Sequence, residues 1–272
     1  MINDKEKYLS DMLKDNGINL DDDKIKKLVI FYDELIEKNK VMNLTAITDF
    51  EDVCRKHFLD SLSIVRLNDI KGFECFNNNG FVNEIKLLDV GCGAGFPGLV
   101  IAIAFPDINV TLLDSLNKRI NFLNEMIKKL ALANCETVHS RAEDAAKNVN
   151  YREAFDIAVS RAVANLSTLS EYCIPFVKIG GCFTAYKSEK IKTESEEAQN
   201  AIKLLGGKYE TEDRFIIKND SIIDYDNIEL NDTEYDNENE DRCFRDLYVI
   251  RKINTTPRKY PRKAGLPSKE PL

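Results

Sequence analysis

The chain has 272 residues, 43% hydrophobic and 31% charged, with a formal net charge of −8, seven cysteines, two histidines and no tryptophan. That balance excludes a disordered polypeptide and a disulfide-framed miniprotein, since a chain of this length buries roughly three quarters of its unfolded surface without staples. An odd cysteine count with no C-x-x-C pair, two distant histidines (His57 and His139), no apolar leader and no uncharged run near the roughly 18 residues of a spanning helix predict a reduced, cytoplasmic protein with neither metal nor membrane span.

Taken in chain order, Ile25, Leu28, Val29, Tyr32, Leu35 and Ile36 recur at three- and four-residue steps behind Asp22 and Asp23, which predicts a capped helix. A second helical stretch is expected from about 49 to 66, so residues 1–70 read as a helical region packed on the core. After the Asn-rich breaker F-E-C-F-N-N-N-G-F-V-N-E, strand-like runs at 86–90, 110–114, 136–139, 155–159 and 182–186 alternate with helical stretches near 97–104, 117–131, 142–148 and 165–177. That alternation means βαβ units and a parallel sheet. Two further runs, 208–217 and 244–251, follow a helix ending near Gly206 and Gly207 and are expected to pair as an antiparallel edge. The expected fold is α/β, a mostly parallel, Rossmann-like sheet of seven strands over residues 84–252. Ten acids and no base lie between Asn219 and Asp241, which reads as a solvated loop, whereas nine bases face two acids from Arg242 onward, ending in a basic tail at 253–272.

Residues 86–98, K-L-L-D-V-G-C-G-A-G-F-P-G, are a buried strand running into a glycine loop. A P-loop needs a lysine after its last glycine, but Gly98 is followed by Leu99 and Val100. A dinucleotide fingerprint needs G-x-G-x-x-G, and here Gly91, Gly93 and Gly95 make G-x-G-x-G with Phe96 in the third glycine's place; a nicotinamide cofactor stays open as a competitor. S-adenosylmethionine has no pyrophosphate and asks only for close passage of backbone past its methionine part and ribose. Asp114, at the end of the second strand, can accept hydrogen bonds from both ribose hydroxyls, and Ala142 and Glu143 follow the third strand where an adenine edge would lie.

The loop after the fourth strand, S-R-A-V-A at 160–164, carries no Asn-Pro-Pro-Tyr element for an exocyclic amine. Cys173 precedes Ile174 and Pro175, the wrong order for a Pro-Cys nucleophile, and reads as core. With no placed base or nucleophile, the economical target is an atom that already owns a lone pair, such as guanine N7, and Arg161 is a candidate for positioning. In the tail, Arg251, Arg258, Lys259, Arg262 and Lys263 crowd around Tyr260, a mixture of phosphate-pairing charge and a stacking ring that suits RNA. A basic strip on the N-terminal helices, Arg55, Lys56 and His57, is the alternative surface.

M-N-L-T-A-I at 42–47, R-K-H-F-L-D-S-L at 55–62, L-L-D-V-G-C-G-A-G-F-P-G, D-S-L-N-K-R-I-N-F-L at 114–123, S-R-A-E at 140–143, S-R-A-V-A and the ending P-R-K-Y-P-R-K-A-G-L-P-S-K-E-P-L together resemble the bacterial small-subunit ribosomal RNA methyltransferase G family, also known as glucose-inhibited division protein B. The resemblance implies a class I, S-adenosylmethionine-dependent methyltransferase of the cytoplasm that acts on N7 of guanine 527 of 16S rRNA, near the decoding centre, alone or in the small subunit, with no obligatory protein partner. It also implies that Gly91, Phe96, Ala142, Glu143 and Arg161 contact the cofactor, and Gly93 belongs to the same loop. The Asn-rich stretch and the 219–241 insertion look longer than that family usually has. A non-enzymatic RNA binder that kept the fold, or a nicotinamide oxidoreductase, is the alternative.

Overall fold

The computed structural model describes residues 3–76, 84–161, 164–188, 191–225 and 243–272. The first helix, α1 (Asp4–Asp15), which the periodicity did not single out, starts with a capping box in which Asn3 and Glu6 bond each other's backbone N–H. In α2 (Asp22–Met42) the capping side chain is Asp21, accepting from Lys24 N, while the expected caps Asp22 and Asp23 fall in the first turn, where their charge complements the helix dipole. The stretch expected as one helix is mixed: α3 (Phe50–Val53), a π segment at Cys54–Leu59, α4 (Asp60–Leu62) and a 3₁₀ turn at Ser63–Leu67. The widened π turn lies beside the residues that later face the site.

The α/β part runs β1 (Ile85–Val90), α5 (Gly98–Ala104), β2 (Ile108–Asp114), α6 (Asn117–Lys129), β3 (Cys135–His139), α7 (Ala142–Ala145), β4 (Phe155–Ser160), α8 (Leu166–Cys173), β5 (Val177–Lys187), α9 (Ile191–Leu204), β6 (Gly207–Lys218), β7 (Ser221–Asp224), β8 (Cys243–Lys252) and α10 (Leu266–Lys269). One sheet takes them all in the order β3-β2-β1-β4-β5-β8-β6-β7. The first five strands pair in parallel, and β8 pairs antiparallel to both β5 and β6.

Among the described residues the sheet therefore has eight strands where seven were expected, and the physical reason is a two-residue turn. Asn219 and Asp220 both adopt positive φ, 47° and 65°, folding Ser221–Asp224 back on Phe215–Lys218. Asn and Asp accept that conformation more readily than other non-glycine residues. The 208–217 and 244–251 runs do pair as expected, but β7 forms the outer edge.

Successive side chains of β1 face opposite ways, as a strand requires. Leu87 joins an apolar cluster with Phe31, Phe58, Phe96 and Leu112 beneath the N-terminal helices, while Leu88 and Val90 join a second cluster with Leu166, Phe176 and Tyr260 on the other face. Cys173 is fully buried in that second cluster, in keeping with its reading as core. All five parallel strands deliver their carboxyl ends to one rim, the place where sheets of this kind hold ligands.

Candidate functional site

The loop after β1 turns because Gly91, Gly93 and Gly95 hold φ of 74°, 58° and 108°, values that side-chain-bearing residues rarely adopt. Gly91 N and Cys92 N both donate to Leu113 O, at 2.8 and 3.1 Å, which ties the loop to the end of β2. Asp114 completes the tie: its Oδ2 accepts from Gly93 N at 3.0 Å and from Arg119 at 3.2 Å, and its Oδ1 from Leu116 N at 2.8 Å. The predicted ribose acid and glycine loop are thus one hydrogen-bonded unit. A Cβ on Gly93 would meet only Gly91 O, at 4.0 Å, so open space faces the loop beside a carboxylate. Gly91, Gly93 and Asp114, the residues expected from the sequence to meet the ribose and methionine part of S-adenosylmethionine, therefore border one open cradle.

One acid in this unit escaped the sequence reading. Asp89, completely buried on β1, accepts from Gly98 N through Oδ2 at 2.8 Å, while its Oδ1 has no hydrogen-bond partner among the described residues. Burial pushes its carboxyl up to about 7 against the opposing pull of the Gly98 bond. Its signal was a lone acid inside the apolar run K-L-L-D-V. Gly98 must be glycine for this contact, because a Cβ there would sit 2.7 Å from the Asp89 side chain and 2.5 Å from Leu112 Cδ2.

After β3, Ala142 opens α7 and Glu143 is 6% exposed. Glu143 Oε1 accepts from Gly265 N at 2.8 Å, so the C-terminal segment is drawn against the predicted adenine side of the groove. After β4, Arg161 lies between three partners: Asp60 Oδ2 at 2.7 Å, Lys56 O at 3.2 Å and His57 Nδ1 at 3.2 Å, with its guanidinium carbon 5.1 Å over the Phe96 ring. Sequence spacing gave no reason to join His57 and Asp60 to the glycine loop; packing does so. Burial first, and the Arg161 charge second, push the His57 imidazolium down to about 4.

The predicted RNA residues separate into two groups. Arg258, Lys259 and Lys263 are exposed. The other three are engaged within the fold: Arg251 is 9% exposed and bonded to Glu210 and Gly180 O, Tyr260 is 6% exposed in the second apolar cluster, and Arg262 makes a forked ion pair with the buried carboxylate of Glu171. Their charge and ring area go to holding the chain together, so the segment is a docked strap on which Arg258, Lys259 and Lys263 stay exposed. On the alternative surface, Arg55 bonds Asp220 and Asp52, Lys56 pairs with Asp52, and His57 is largely enclosed. Among the described residues, no group of three or more His, Cys, Asp and Glu is arranged to hold a metal ion, and no helix is long and apolar enough to cross a membrane.

A β3-β2-β1-β4-β5 parallel sheet continued by antiparallel strands, with a glycine loop after β1 hydrogen-bonded to an acid ending β2, defines a class I, Rossmann-like methyltransferase carrying an N-terminal helical extension. Comparison with known proteins is more specific. The family model for rRNA small subunit methyltransferase G matches residues 24–222. Ribosomal RNA small subunit methyltransferase G of Lachnoclostridium phytofermentans is 46% identical over 96% of this chain and 94% of its own, and that of Clostridium beijerinckii 44% identical over 97% of both. The solved structure of M. jannaschii TYW2 in complex with AdoMet overlaps 62% of this chain and 70% of that one, at 16% identity and a TM-score of 0.45. The chain belongs to the rRNA small subunit methyltransferase G family.

Proposed function

We propose that this protein moves a methyl group from S-adenosylmethionine to N7 of one guanine in 16S rRNA, guanine 527 by family resemblance, acting in the cytoplasm on the RNA or the small subunit. The observation that carries the cofactor reading is the unit formed by Gly91, Gly93 and Asp114, with Glu143 and Arg161 on the same rim. The bound cofactor supplies an electrophilic methyl on a sulfonium.

Guanine N7 presents a lone pair in the plane of the ring, so the new N–C bond forms as the C–S bond breaks and no proton leaves. The protein's task is then alignment, which by itself can supply several kcal/mol of the barrier, about 7 in favourable cases. The site residues suit that division. His57 is held neutral with both ring nitrogens engaged, Asp114 is fixed by three donors with acceptor capacity left for the ribose, and Arg161 offers charge and direction.

Two measurements test this reading. Calorimetric titration with S-adenosylmethionine and with NAD should give binding only for the former, and Asp114→Ala should weaken it about ten- to a hundredfold, since a charge-assisted hydrogen bond contributes roughly 1.5 to 3 kcal/mol. Mass spectrometry of digested 16S rRNA after reaction should show 7-methylguanine. Methylated cytosine or adenine, or unchanged affinity in folded Asp114→Ala, would overturn the assignment.

A further inference from the structure

Asp60 is 0% exposed in the N-terminal helical layer, yet its carboxylate holds two guanidiniums from distant parts of the chain. Oδ1 accepts from Arg245 Nε of β8 at 2.8 Å, and Oδ2 from Arg161 Nη1 of the loop after β4 at 2.7 Å. A buried ion pair that serves only stability matches its charges, because desolvating an uncompensated ion is costly. Here two cations share one anion, and within this group one positive charge remains for an oxygen acceptor brought from outside.

His57 sets the direction. Its ring lies stacked on Phe96, centroids 4.4 Å apart at 23°. Arg161 Nη1 serves Asp60 and Lys56 O, and His57 Nδ1 lies 3.0 Å from Lys56 O and 3.2 Å from Arg161 Nη2; the tautomer with Nε2–H directed at Thr45 Oγ1, 2.9 Å away, is the one in which Nδ1 accepts from Arg161. Arg161 is thereby gripped by a carboxylate and an imidazole from the helical layer while its flat face covers a ring of the glycine loop. The layer is itself anchored to the sheet here, for Tyr186 OH of β5 donates to Ser61 O at 2.9 Å.

We propose that Asp60 and His57 are positioning residues: they hold Arg161 over Phe96 so that its guanidinium meets an oxygen acceptor of the reacting pair, the methionine carboxylate of the cofactor or O6 of the target guanine. The helical extension is then part of the site rather than a cover on it. The inference rests on the reading of Arg161 as a contact of the bound reactants.

His57→Phe keeps the stacked ring and removes the acceptor, whereas His57→Asn removes the ring and keeps an acceptor near the Nδ1 position. Cofactor Kd by calorimetry, KM for RNA, kcat and the thermal midpoint are measured for both, for Arg161→Ala and for the unaltered protein. His57→Phe should stay folded and lose about tenfold in at least one functional constant, as expected for one charge-assisted hydrogen bond, and His57→Asn should recover most of it. A loss confined to cofactor Kd assigns the acceptor to the methionine carboxylate, and one confined to RNA KM or kcat assigns it to the guanine. Wild-type constants in His57→Phe, or equal impairment in both variants, overturn the proposal. If Arg161→Ala itself changes no constant, the underlying reading of Arg161 fails instead, and if the unaltered protein binds no S-adenosylmethionine, the functional assignment fails.

Discussion

Asp89 and His57 load the fold with opposite pH dependences. Burial raises the Asp89 carboxyl to about 7, so from about pH 4 to 7 the folded state holds a proton that the unfolded state has released, and stability falls as pH rises through that window. Asp246, raised to about 6 chiefly by burial, acts in the same sense. Burial lowers His57 to about 4, with the facing Arg161 and Arg245 adding to the effect and Asp60 and the Lys56 carbonyl opposing it. Between about pH 4 and the ordinary histidine value near 6.5 the unfolded state therefore binds the extra proton, and stability rises with pH. Thermal midpoints followed from pH 4 to 7 should climb more steeply in Asp89→Asn than in the unaltered protein, because one of the two falling contributions has been removed. In His57→Phe the climb should flatten or reverse. Curves parallel to the unaltered protein in both variants would contradict these environments. Of these residues Asp114 was legible in the chain, since an acid closing the second strand has a meaning set by local order. His57 and Asp60 were not, because their partners arrive from positions about a hundred residues away.

The C-terminal strap is the element whose character depends most on what it touches. Arg152 donates to Thr256 O at 2.7 Å and Tyr260 O at 3.0 Å, Thr168 Oγ1 to Pro267 O at 3.0 Å, and Gly265 N reaches Glu143. Arg262→Ala would leave the Glu171 carboxylate, 1% exposed, without its ion pair. The expected loss is about 3 kcal/mol in urea unfolding, the low end for breaking a buried pair because Arg262 keeps some solvent contact. Lys259→Ala, on the exposed side, should stay within about 0.5 kcal/mol. Of the residues expected from the sequence to meet RNA, Arg258, Lys259 and Lys263 remain exposed, so neutralising those three should flatten the slope of log affinity against log salt by about 2 units if each touches phosphate of single-stranded RNA. An unchanged slope would move the RNA surface elsewhere. Because the strap bonds Glu143 through Gly265 N, Gly265→Pro, which deletes that N–H and cannot adopt the φ of 81° there, should weaken cofactor binding as well as stability.

Across the whole molecule, one apolar cluster runs from Leu9 through Phe96 to Val249, joining the N-terminal helices to the sheet without a break. The β6–β7 hairpin adds polar clasps, Asp220 to Arg55 and Asp213 and Asp224 to Arg66. Unfolding should accordingly be a single transition, with tyrosine fluorescence and far-ultraviolet circular dichroism giving coincident urea curves; separate midpoints would mean that the helical layer folds on its own. The sequence by itself determined the class of fold, the glycine loop, Asp114 and the family, because these depend on periodicity and on residues close together in the chain. Tertiary structure alone decided the eighth strand, which hangs on a two-residue turn inside an acidic stretch, and the burial of Tyr260 and the pairing of Arg262 with Glu171 in what read as an RNA-binding tail. It also decided the joining of Asp60, His57 and Arg161 around Phe96. A side chain's charge is written in the chain, but whether that charge meets solvent, RNA or a buried partner is set by what packs against it.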